Sequence, residues 1–254
     1  MRYFMTFSYD GSNFKGYQKQ VKERTVQGEL ESALTKINSG IAVSVSASGR
    51  TDASVHAYNQ KAHFDMDAII DVNKLKHSLN GLLPEDIYVR GIAVVENDFH
   101  ARFNVKAKEY IYKINLGGYN PIERNYIYQY NKRLDIPEME RALKYLEGEH
   151  CFKAFTKVSK DDNEKEDYVR TIIQATLVRD SKNINKITIS FLGTGFLRYM
   201  VRNMVGLLIE VGEGKIKSED VIEILKSKDR TKAGICAPAC GLYLNDVYYW
   251  YFWV

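Results

Sequence analysis

The stretch "SASGRTDASVHAYNQ", residues 46–60, brings chemically capable side chains closer together than most of the chain does. Arg50, Asp52 and His56 fall within seven residues, separated mainly by small ones. Asp52 follows a Gly-Arg-Thr turn at the end of an expected strand, a place from which a side chain can reach a cleft. Arg50, two residues earlier, is near enough to keep that carboxylate ionised and aimed through an ion pair. The Asp52-x3-His56 spacing admits a metal reading, but two ligands are too few and the chain has only five histidines. Read alone, the stretch is better explained as a salt-bridged turn.

Other clusters carry charge beside aromatic or apolar residues. "GFLRYMVRNMVG" on a helix would set Arg198 and Arg202 four apart on one face. An arginine on a mostly buried helix needs a carboxylate or phosphate partner, whereas a surface pair needs none. Met200 and Met204 read as core filling. "FHARFNVKAKEYIYK" places His100, Arg102, Lys106 and Lys108 ahead of Tyr110 and Tyr112. "FKGYQKQVKER" surrounds Phe14 and Tyr17 with Lys15, Lys19, Lys22 and Arg24. Such interleaving suits phosphate contacts with base stacking; solvated faces over packed aromatics explain each stretch as well.

The elements that must position these groups alternate between strand and helix. "RYFMTFSY" reads as a strand ending at the Asp10-Gly11 turn, and "TVQGELESALTKI" carries the apolar stripe of an amphipathic helix. "IAVSVSASG" reads as a strand delivering the chain into the Asp52 turn. A short helix follows, with Asp71 as N-cap and Gly81 as its stop, then the strand "IYVRGIAVV". In the second half "EYIYKINL", "RTIIQATLVRD" and "KITISFLG" read as strands. "DIPEMERALKYLEG" reads as a helix with Pro137 in its first turn and Gly148 past its end. "SEDVIEILKS" reads as a helix capped by Ser218, "VYYWYFWV" as a closing strand, and the charged "KVSKDDNEKEDYVR" as a mobile loop.

The 254 residues therefore suggest two fused α+β halves, 1–104 with the Asp52 loop and 105–254, or one large α+β unit. A hydrophobic content of 45% against 27% charged residues suffices for a sizeable core, and no apolar run is long enough to span a membrane. The start "MRYFMTFSYDGSNF" lacks the apolar run of a signal peptide, so a cytoplasmic location is expected. Three cysteines, Cys151, Cys236 and Cys240, read as reduced core thiols; Cys236-x3-Cys240 lacks the second pair that a zinc site needs. A net charge of +4 is compatible with nucleic acid without demanding it.

Read together, the blocks "YDGSNFKGYQKQ…TVQGELESAL", "SGRTDASVHA", "FHARF", "AKEYIYKI", "FLRYMVRNMVG" and "APACGLYL" resemble the TruA family of tRNA pseudouridine synthases. They match in order over nearly the whole chain, which is far more specific than any one motif. The resemblance implies an α+β fold of two related halves sharing a continuous, mostly antiparallel sheet flanked by helices, with a basic central cleft. It also implies a homodimer that grips tRNA, no metal or organic cofactor, and modification of anticodon-arm uridines at positions 38 to 40. Asp52 is implied as the catalytic carboxylate. Arg50 is similar to the arginine that supports that carboxylate and helps displace the target nucleotide. Tyr110 aligns with the tyrosine that stacks on the target base, and Arg202 with the arginine that pairs with the carboxylate. Arg102 and Arg198 join Tyr110 and Arg50 as substrate-binding candidates.

The chemistry explains these types. Uracil leaves C1′ of the ribose, rotates and returns through C5, so no atoms are gained or lost. An ionised carboxylate beside C1′ suits an oxocarbenium-like centre. Asp52 would either attack C1′ or remove the C2′ proton to give a glycal. Departures from the family pattern are Ser54 where Gly is usual, Tyr17 for Trp, Tyr58-Asn59 for Leu-Gly, and Cys236 for Thr. They keep open a catalytically impaired tRNA-binding or chaperone paralogue. A metal-dependent hydrolase using Asp52 and His56 is a further, weaker reading.

Overall fold

Large apolar side chains on both faces of "RYFMTFSY" produce a strand buried on each side, β1 (Arg2–Tyr9). The structure, a computed structural model, describes residues 1–157 and 167–250. Within it the chain forms two α+β units: Met1–Lys106 rejoined by the chain from Tyr243 on, and Ala107–Leu242.

In the first unit β1 lies between β3 (His56–Asp65) and β4 (Ile87–Val95), antiparallel to both. The three-residue β2 (Val45–Ala47) adds to β3, whose other side takes the last strand, β10 (Leu242–Tyr248), in parallel. Tyr3, Met5 and Phe7 fill one face of β1. On the other face Phe4 packs with Val95, Ala101, Phe99 and Tyr249. Two helices complete the unit: α1 (Val26–Ile37), capped by Thr25 accepting from the Gly28 N–H, and α2 (Val72–Leu82), capped by Asp71. Their apolar stripes bury Leu30, Leu34, Leu75 and Leu79 completely.

The second unit is a sheet in the order β5 (Ala107–Asn115), β9 (Lys186–Gly193), β8 (Val169–Arg179), β7 (Gly148–Cys151), antiparallel throughout. A two-residue β6 (Tyr128–Gln129) runs parallel to β5. Its helices are α3 (Ile136–Leu146), α4 (Met200–Gly212) and α5 (Asp220–Ser227). Gly212 lets α4 approach α3, because a Cβ there would stand 2.8 Å from Met139 Sδ. The α+β class with mostly antiparallel pairing is as expected.

Several local expectations need correction. β2 covers three residues of "IAVSVSASG", Val45–Ala47, where the chain pairs in register with Ala62–Phe64 of β3. α2 runs through Gly81 to Leu82, because Leu79 O still accepts from the Leu83 N–H. α4 begins at Met200, so Arg198 lies outside it and shares no helical face with Arg202. α5 begins at Asp220, after Glu219 rather than Ser218. The closing strand stops at Tyr248. Residues 251–254 of that expected strand, and 158–166 of the expected mobile loop, lie outside the described residues. The cysteines are free thiols but not core ones: Cys236 is exposed, and Cys151 and Cys240 are half-buried.

Candidate active site

The turn that carries Asp52 links β2 to β3, and almost every backbone segment around it is tied down. Ser48 Oγ donates to Gln60 Oε1 at 2.6 Å, and Gln60 Nε2 donates to Gly49 O at 3.1 Å. The hydroxyls of Tyr9 and Thr51 share a buried hydrogen bond of 2.8 Å. Thr51 O accepts from the Tyr17 N–H, and the Ser54 N–H donates to Phe14 O. The Val55 N–H closes a turn onto Asp52 O at 3.2 Å. With Ser54 at φ 63° in the third position, this turn needs the left-handed backbone usually given to glycine. The serine at 54 adopts that conformation, so the departure from the family pattern leaves the turn geometry in place.

The glycines of "DGSNFKG" explain how a loop can lie so close beneath this turn. A Cβ at Gly11 would stand 2.1 Å from Val55 O, and one at Gly16 would stand 3.1 Å from Thr51 O. The Gly11 N–H donates to His56 Nδ1 at 3.0 Å, and Asp10 Oδ1 stands 3.1 Å from the same nitrogen. His56 is 2% exposed and its ring stacks on Tyr243 at 4.6 Å. It ties the loop to β3 and β10, which replaces the metal reading with a structural one. Burial pushes the Tyr9 phenol up to about 12 and the Tyr17 phenol well above its ordinary value, so both are neutral supports under the turn.

Against this fastened backbone Asp52 is half-exposed and Arg50 exposed. The expected Arg50–Asp52 ion pair does not form: among the described residues the Arg50 side chain takes part in no hydrogen bond or ion pair. Both residues lie in the turn between β2 and β3 rather than in a strand, and Arg50 is exposed. The basic stretch before α1 is also corrected. Phe14 and Tyr17 are each 2% exposed and cannot receive a base. Arg24 grips Asp86 through both carboxylate oxygens at 2.7 and 2.8 Å and lies over the Phe14 ring, while Lys19 pairs with Glu31.

In the second unit Arg202 sits in the first turn of a helix whose other positions there are buried. Its Nε donates to Ala237 O at 2.7 Å, and the Ala237 N–H returns a bond to Arg202 O. Gly206, one turn on, lets the same segment approach: a Cβ there would meet Ile235 O at 1.7 Å. Tyr112 OH donates to Pro238 O at 2.6 Å, so the segment 235–238 references Arg202 to β5. Two positions before Tyr112 on that strand, Tyr110 is 8% exposed and packs edge-on against Phe196 at 5.0 Å. Arg198 is exposed, its guanidinium over the Tyr199 ring at 4.9 Å, while Thr156 Oγ1 donates to its carbonyl. Arg202 approaches the same ring at 5.3 Å.

The sequence reading missed Gly11, Gly16, Gln60 and the 235–238 segment as positioning elements. The glycines carried a usable signal, since glycine in a loop marks close backbone approach as well as a turn. Gln60 and Ala237 carried none, because a polar strand residue and a loop carbonyl look alike wherever they occur.

Known proteins resemble the chain over nearly its whole length. A family model described as tRNA pseudouridine synthase matches residues 5–104 and 142–250. A protein of Anoxybacillus flavithermus named tRNA pseudouridine synthase A is 45% identical over 244 residues, covering 96% of this chain and 97% of the relative. Relatives of the same name from Geobacillus sp. (strain WCH70) and Streptococcus mutans are 44% and 41% identical. The alignments cover 96% and 98% of this chain, and 96% and 99% of those relatives.

Proposed function

The chain belongs to the TruA family of tRNA pseudouridine synthases, and from that premise we propose that it isomerises uridine in the tRNA anticodon stem-loop, at positions among 38, 39 and 40. Asp52 is the catalytic carboxylate in this reading. The observation that carries it is the fastening of the turn around Asp52, which fixes the backbone while leaving the residue half-exposed. Preorganisation of that kind suits a group that must meet one carbon of a nucleotide within a few tenths of an ångström.

The remaining roles follow the motifs. Arg50, exposed and unengaged in the protein, is available to a phosphate or a displaced nucleotide. Tyr110 stacks on the target base, which must leave its neighbours at a cost of a few kcal/mol. Stacking on an aromatic ring offsets about 1–3 kcal/mol of that. Arg202 serves the catalytic carboxylate, its guanidinium oriented by the Ala237 carbonyl. Arg102 and Arg198, both exposed, take phosphates of the tRNA backbone. We further propose that the protein works in the cytoplasm as a homodimer, without metal or organic cofactor. The three unpaired thiols support a reducing compartment.

Incubating unmodified tRNA with wild-type protein and with Asp52→Asn, then mapping pseudouridine, tests the catalytic assignment. The wild type is expected to modify one or more of the three positions and the variant none. Equal modification by both would sink the role of Asp52, and binding without turnover by the wild type would favour the impaired paralogue.

A further inference from the structure

The loop joining β4 to β5 presents an aromatic ring to solvent in a way that packing does not require. Phe103 is 76% exposed, yet its ring centroid lies 4.2 Å from that of His100. His100 in turn meets His63 of β3 at 4.6 Å. Three rings therefore run outward from the sheet, the first nearly buried and the last almost free.

The turn that holds them is pinned. Ala101 donates its N–H to His63 Nδ1 at 3.1 Å, and its carbonyl accepts from Tyr249 OH at 2.5 Å. Arg102 N–H donates to His100 Nδ1 at 3.1 Å, and His100 N–H to Asn104 Oδ1 at 2.6 Å. Asn104 N–H closes back onto His100 O. The Phe103 position is thus set by the backbone, and its ring is preorganised at little entropic cost.

Two exposed cations, Arg102 and Lys106, lie on the same loop, and Lys106 Nζ stands over the exposed Trp250 ring at 5.4 Å. Glu96 and Asp98 are the acids of this loop, while Arg2 is engaged with Asp65. The charges felt at His100 are those of Arg2 and Arg102. A neutral aromatic column with its outer face open and cations beside it is the arrangement that takes a base and its phosphate.

We propose that Phe103, backed by His100, is a stacking platform for an unpaired tRNA base other than the target uridine, with Arg102 on the adjoining phosphate. The inference rests on the tRNA substrate proposed above. His63, the foot of the column, is seven residues along β3 from His56, roughly 23 Å at about 3.3 Å per residue. The target nucleotide is held at Asp52, by the His56 end of β3, so the base on Phe103 is assigned to a different nucleotide of the tRNA.

The test is tRNA affinity, measured by fluorescence anisotropy with a labelled, unmodified tRNA transcript, for wild type, Phe103→Ala, Phe103→Leu and Phe103→Tyr. Phe103 packs against little besides His100, so thermal melting is expected to show all four folded. Loss of a stacked base weakens Kd by roughly five- to 150-fold, the equivalent of about 1–3 kcal/mol. That loss is expected for Ala and Leu, with Tyr within about twofold of wild type. Ala within twofold of wild type overturns the platform, as does a change in sedimentation that marks Phe103 as a contact between copies of this chain. Because binding is read without turnover, a wild type that binds but makes no pseudouridine overturns the catalytic reading alone. A wild type that does not bind tRNA overturns both.

Discussion

Gly11 and Val55 meet backbone to backbone: a Cβ on the glycine would stand 2.1 Å from the Val55 carbonyl oxygen. Neither partner is the far end of a flexible side chain, so a methyl group at 11 must move one of two main-chain segments. Gly11→Ala is expected to cost about 1–3 kcal/mol through this overpacking. Because Val55 closes the turn onto Asp52, it is also expected to lower pseudouridine formation by about tenfold or more. Thermal melting and a timed modification assay read the two effects separately, and unchanged turnover would show that the turn tolerates the shift.

Ser54 holds φ 63°, where a left-handed conformation costs an ordinary L-residue about 1–2 kcal/mol. Glycine removes that strain and returns about 0.5–1 kcal/mol through its freer unfolded chain. Ser54→Gly should therefore stabilise the protein by up to about 1 kcal/mol with activity kept. Ser54→Val, β-branched at the same φ, should lose stability and turnover together. Denaturant midpoints for both variants decide the matter; destabilisation by glycine would mean the serine hydroxyl contributes more than its backbone strain.

Tyr17 is buried beside the Asp52 turn with a hydroxyl that finds no hydrogen-bond partner among the described residues. Its ring fills a place where the family pattern has tryptophan, so the oxygen arrives at a site with nothing to receive it. An unsatisfied buried polar group costs about 1–3 kcal/mol. Tyr17→Phe is expected to raise the melting temperature by about 2–4 °C or more without altering turnover. A lower melting temperature would indicate that the hydroxyl is satisfied in solution.

His63 is held at about 4, below its ordinary 6.5, first by burial and then by the charges of His100 and Arg2. Between those values the unfolded chain binds a proton that the native imidazole refuses. Stability from this group is therefore complete above about pH 6.5 and is lost as pH falls towards 4. Urea midpoints at pH 7 and pH 5 should differ more for wild type than for His63→Gln, whose amide oxygen can still accept the Ala101 N–H. Equal differences for the two proteins would remove His63 as the source.

Much of this protein is decided by short-range pattern. The apolar stripe of "TVQGELESALTKI", the caps at Thr25, Asp71 and Asp135, and the alternation of the long strands are set by neighbours within a turn or two. The ordered motifs around Asp52, Tyr110 and Arg202 were equally legible as residue types. What only tertiary structure decided is who meets whom. Phe14 and Phe103 sit in similar mixtures of basic and aromatic residues, yet one ring is sealed under Arg24 and the other stands in solvent. Arg50 stays apart from the carboxylate two residues away, while Arg202 finds a carbonyl 35 residues on. The closing strand returns across the chain to lie beside His56. Local sequence sets backbone preference over a few residues, but burial and pairing are settled by surfaces that meet after long loops close, and those surfaces belong to no single stretch.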